Sequence, residues 1–127
     1  MNYSGSKIVV CAILFLFTLV SGFLLSSSGR PLNGVLFTIH KMIALAAVIV
    51  IGMNVYQLSR LIDARAVLTI GVIAAAALLF LALFISGALL SLEKPAPGAL
   101  LTIHQIAPLL ALFASGLALY LLASNSA

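Results

Sequence analysis

The chain has 127 residues, of which 65% are hydrophobic and only 6% charged. A soluble domain carries about 25% charged residues, and two acids with six Lys/Arg cannot clothe a water-facing surface. A soluble globular enzyme, a disordered chain and a disulfide scaffold are thereby excluded. The one cysteine, Cys11, has no intramolecular disulfide partner. The net charge of +4 comes without the basic clusters and interleaved aromatics of a nucleic-acid binder. An integral, multi-pass membrane protein, with the lipid bilayer as its first partner, is the expectation.

Charges mark the element boundaries. None occurs from Ile8 to Gly29, from Met42 to Ser59, from Ala66 to Leu92, or after Lys94. A membrane helix needs about 20 apolar residues, so helices are expected over 6–26, 34–60, 65–92 and 98–123. The first apolar run follows Lys7 and is longer than a cleaved signal requires, so it reads as a retained span. Ser26-Ser27-Ser28-Gly29-Arg30-Pro31-Leu32-Asn33-Gly34 reads as a loop, and so does Glu93-Lys94-Pro95-Ala96-Pro97-Gly98. The connection from Arg60 to Arg65 is short. Short connections favour antiparallel neighbours, hence an all-α, up-down-up-down four-helix bundle. Lys7, Arg60 and Arg65 fall on one side, and Arg30 and Lys94 on the other, with Lys41 just inside the second helix. That bias points to cytoplasmic termini.

The chain also matches itself. Ser21-Gly22 and Leu24-Leu25-Ser26 match Ser86-Gly87 and Leu89-Leu90-Ser91. Arg30-Pro31 match Lys94-Pro95, and Gly34 matches Gly98. Thr38-Ile39-His40 match Thr102-Ile103-His104, Gly52 matches Gly116, and Tyr56 matches Tyr120. Apolar sequence yields chance Leu and Ala matches, but not Gly, Pro, Thr, His and Tyr in one register. The single membrane domain, 1–127, therefore reads as two tandem repeats, about 1–62 and 63–127. Two helices per repeat give both copies one orientation, related by a pseudo-two-fold axis along the membrane normal. Equivalent positions then lie at equal depth.

His40 and His104 are the only histidines. Each lies six residues past a helix-opening glycine, roughly 9 Å below the helix end at 1.5 Å per residue. Ionisable residues at such depth are costly and are functional candidates. Four uses compete. The pair can ligate one haem b from opposite faces. It can hold a metal, although zinc wants three or four ligands and neither a carboxylate nor a second cysteine is near. It can relay protons in a small transporter or channel. It can also be structural, each ring bonding a neighbouring carbonyl.

Neighbouring residues favour a plate-like ligand. Gly22 and Gly87 fall near the depth of the histidines, where glycine lets a large ring approach the backbone; close helix packing is the rival reading. One and two turns past His40 lie Ala44 and Ala47; past His104 lie Pro108 and Ala111. Pro108 lacks the N–H that would bond the His104 carbonyl, so a local kink is expected there. Arg30 and Lys94 sit in the loops above and can pair with haem propionates. Lys41, with Gln105 as its counterpart, lies about 100° around the helix from His40 and snorkels outward. Tyr56 and Tyr120 fit an aromatic belt. Ser21, Ser86, Thr38 and Thr102 can hydrogen-bond within or between helices.

The segments from Gly34 to His40 and from Gly98 to His104 give the chain an architecture that resembles the small four-helix membrane b-type cytochromes, including cytochrome b anchor subunits of respiratory enzymes. The resemblance implies electron transport, with His40 and His104 as axial ligands of one low-spin haem b. Many such proteins hold two haems on four ligands; two histidines allow one haem, nearer the face opposite the termini. A quinone, a redox protein, another protomer or a larger respiratory complex would then complete the electron route. The chain is expected to be a carrier or complex subunit rather than a stand-alone enzyme. A pigment protein and a cofactor-free structural subunit are the remaining rivals.

Overall fold

A computed structural model describes residues 3–61, 67–92 and 97–124. Among these residues the chain forms four helices: α1 Tyr3–Ser27, α2 Gly34–Leu61, α3 Val67–Leu90 and α4 Gly98–Ser124. All four are long and apolar enough to cross a membrane. At 1.5 Å per residue the 24 residues of α3 span about 36 Å, against a hydrocarbon core of about 30 Å. The expected spans agree with these helices to within three residues at each end.

Local chemistry sets the helix ends. The α1 backbone persists into the serine run, where the Ser28 N–H donates to the Leu24 carbonyl at 3.1 Å. The hydroxyls of Ser27 and Ser28 bond back onto the carbonyls of Leu24 and Leu25. Gly29 then takes a φ of 76°, the left-handed turn that commonly ends a helix. Asn33 caps α2. Its side-chain oxygen accepts from the N–H groups of Val35 and Leu36 at 3.0 and 3.1 Å, satisfying donors that the first turn leaves open. Before α4 the Pro97 carbonyl accepts from the Leu100 N–H. Pro108 lies inside α4, which continues through it.

The chain divides into two compact units, Met1–Asn54 and Val55–Ala127, with the division inside α2. In the first unit Ser21 meets His40 and Cys11 meets Asn54. These contacts run in opposite senses along the two helices, as an antiparallel hairpin requires. The buried face of α1 carries Cys11, Phe15 and Ser21; that of α2 carries Ala47, Ile51 and Asn54. Near the unit's far end, the Asn54 side-chain N–H₂ donates to the Cys11 thiol and to the Val50 carbonyl.

In the second unit α3 buries Thr69, Ala76 and Ser86. α4 buries Ala107, Ala111, Ser115, Ala118, Leu119 and Leu122. These positions recur every three or four residues, one helical face. Ala107, Ala111 and Ser115 are spaced four apart, and small residues at that spacing let helix backbones approach closely. Among the described residues Ser115 Oγ is the buried side-chain polar atom with no hydrogen-bond partner. Most large apolar side chains face outward, Phe23 and Phe113 each being 73% exposed. In water such a surface would aggregate; against lipid tails it is solvated.

Candidate functional site

The first unit places His40 of α2 against a Ser-Gly step of α1. The Ser21 hydroxyl lies 3.0 Å from His40 Nδ1. It also donates to the Thr18 carbonyl of its own helix at 3.1 Å. Gly22 provides the floor. A Cβ built on Gly22 would stand 3.0 Å from His40 Cε1, 3.4 Å from Nδ1 and 3.7 Å from Nε2. The first of these is tighter than side-chain carbons normally approach, so an alanine here would require the ring to give by a few tenths of an ångström.

The second unit brings the same residue types together. The Ser86 hydroxyl lies 2.7 Å from His104 Nδ1 and donates to the Leu83 carbonyl at 3.2 Å. A Cβ on Gly87 would stand 3.1 Å from His104 Cε1. Both serines are buried, and both histidines are half-buried. A buried hydroxyl bonded on two sides is satisfied, so each ring rests on a fixed partner. The glycines thus clear space for an imidazole of their own unit.

The other expected site residues are placed as follows. Ala44 is half-buried one turn beyond His40, and Ala47 is buried at the next. Ala111 is fully buried two turns beyond His104. Arg30 is exposed in the loop after α1. Lys94, like Arg65, Asp63 and Glu93, lies outside the described residues. Lys41 is exposed, its ammonium 5.9 Å from the centre of the Phe37 ring. The hydroxyls of Thr38 and Thr102 turn back to the carbonyls of Gly34 and Gly98, so they stay within their own helices.

Two features went further than the sequence reading. Ser21 and Ser86 were expected to hydrogen-bond within or between helices, but not with His40 and His104 as the partners, although Ser-Gly and His recur in one register along the sequence. The Cys11–Asn54 pair is the second, and the matching positions Ala76 and Ala118 gave it no echo. Among the described residues no three His, Cys, Asp or Glu side chains gather to hold a metal ion. A hollow of about 240 Å³ on the second unit, lined by Leu79, Ala82, Thr102, Ile103, Ile106, Ala107 and Leu110, is apolar throughout. Nothing there would orient a polar ligand. No protein family, no curated protein and no solved structure matches the chain.

Proposed function

We propose that this chain is a membrane electron carrier that holds one haem b on His40 and His104. In this reading the four spans run up, down, up, down as two tandem repeats, and the haem lies between α2 and α4. The observation that carries it is the Ser-Gly-His arrangement present in each unit. A histidine that ligates iron uses one ring nitrogen and usually has the other tied to a hydrogen-bond partner. Nδ1 of His40 and Nδ1 of His104 each have such a partner in a buried serine. Two imidazoles on fixed supports suit a bis-histidine haem, and two ligands suit it better than they suit zinc.

When bound, haem b supplies a one-electron iron(III)/iron(II) couple. The chain's residues hold and insulate it. His40 and His104 would hold the iron, each through one ring nitrogen. Ala44, Ala47 and Ala111 keep the adjacent turns small. Arg30 and Lys94 pair with the propionates at the polar edge. The termini lie on the cytoplasmic side and the haem nearer the opposite face. A quinol or a redox protein, within an oligomer or a larger respiratory complex, exchanges electrons with it.

A second reading rests on the same contacts. The serines also satisfy the rings, so the histidines can serve as hydrogen-bonded packing residues of a cofactor-free subunit. A reduced-minus-oxidised absorption spectrum of the detergent-purified protein separates the two. The proposal expects a sharp low-spin b-type spectrum at about one haem per chain. His40→Ala and His104→Ala should each abolish it. A colourless protein from haem-replete cells, or a single variant with a normal six-coordinate spectrum, overturns the proposal.

A further inference from the structure

We infer that Ser21 and Ser86 are positioning residues that lock His40 and His104 in the Nδ1–H tautomer, making Nε2 the nitrogen that meets a metal. A serine hydroxyl has one proton and two lone pairs. Ser21 donates its proton to the Thr18 carbonyl, and Ser86 donates its proton to the Leu83 carbonyl. What each hydroxyl turns toward Nδ1, at 3.0 and 2.7 Å, is therefore a lone pair. An unprotonated Nδ1 would set lone pair against lone pair. With the proton on Nδ1, the neutral ring bonds the serine, the serine bonds its carbonyl, and the chain of donors is complete. A neutral imidazole has only one N–H, so Nε2 is the basic atom in both units.

The surroundings reinforce this assignment. Gly22 and Gly87 lie beside the Cε1 edges of the two rings, so each Nδ1 sits against its own serine. In a water-poor interior no solvent is at hand to replace a lost partner. A hydrogen bond to Nδ1–H also makes the ring a stronger donor to iron.

The inference takes its purpose from the haem reading, but its content concerns the apo chain and is tested there. The full chain, with ¹⁵N-labelled histidine and no haem, is reconstituted in nanodiscs above the imidazole titration range. Ring ¹⁵N shifts then report which nitrogen carries the proton, and His40→Gln and His104→Gln assign the two rings. The expected wild-type result is Nδ1–H with unprotonated Nε2 on both rings. Ser86→Ala should lower the Nδ1–H to Nε2–H ratio of His104 about five-fold, equivalent to about 1 kcal/mol. His40 should not change, and Ser86→Thr should restore the wild-type ratio. In haem-loaded protein Ser86→Ala should raise the midpoint potential. Nε2–H on either wild-type ring overturns the inference and needs no variant to fold. So does a Ser86→Ala protein with an unchanged His104 ratio. A wild-type chain that binds no haem but shows Nδ1–H on both rings supports the inference and overturns the haem reading.

Discussion

At Gly87 two effects of a single methyl oppose each other. Alanine gains about 1 kcal/mol of helix propensity over glycine. Its Cβ would stand 3.1 Å from His104 Cε1, and overpacking of that kind costs about 1–3 kcal/mol. The ring has little freedom to yield, because Ser86 holds Nδ1 at 2.7 Å. Gly87→Ala is therefore expected to lie between neutral and about 2 kcal/mol destabilised, and Gly87→Val lower still. Haem content should fall in the order Gly, Ala, Val, and the same order should hold at Gly22. Haem per chain and thermal midpoints in detergent measure this. Equal haem content across the series would show that the seating of the ring does not matter. The histidines were legible in the sequence because a titratable ring is an exception inside an apolar span. Their serine partners were not. Four hydroxyl residues, Ser21, Thr38, Ser86 and Thr102, stood in register, and only the approach of one helix to the next selects among them.

The helices themselves were the most legible feature. Long charge-free runs leave little choice of structure in lipid, where every backbone N–H and C=O must be satisfied within the segment. Their ends were less legible, since hydrogen bonds outside the apolar pattern decide them. α1 runs one residue further into the serine run than composition suggested, because a serine can bond the last-turn carbonyls without breaking the helix. The start of α2 depends on Asn33, which reads as one polar loop residue among several until its side chain is seen on two N–H groups. Asn33→Ala should cost about 1 kcal/mol, and Asn33→Asp or Asn33→Ser should recover most of it. Unfolding by SDS titration, followed by circular dichroism, checks the series. An Asn33→Ala chain as stable as the parent would mean that water or lipid headgroups satisfy those donors equally well.

Across the whole molecule, the bilayer does what a hydrophobic core does in a soluble protein. The outward faces of all four helices are apolar, while small and lightly polar residues are turned inward: Ser21, Ala47, Asn54, Thr69, Ser86, Ala107, Ala111 and Ser115. That inversion follows from the loss of a hydrophobic force between helices in lipid, where close packing and hydrogen bonds hold them together. It also explains why amphipathic periodicity, so useful in soluble chains, said little about which faces pack. In the proposed topology, four crossings would return the chain to the side from which it started. Reporters fused to the two ends should therefore respond alike, both active with a cytoplasm-dependent reporter and both silent with one that needs export. Opposite responses would mean that one of the four helices does not cross.

Cys11 and Asn54 give one half of the chain a chemical handle that the other half lacks. The thiol is 5% exposed and bonded to the Asn54 amide, whereas the matching positions hold Ala76 and Ala118. No other sulfhydryl exists in the protein. With the residue buried, a membrane-permeant alkylating reagent is expected to reach that sulfur when the packing between Cys11 and Asn54 opens. The rate of modification then counts the openings of the first hairpin, in the native sequence and with no engineered probe. α3 and α4, having no thiol, contribute nothing to the signal.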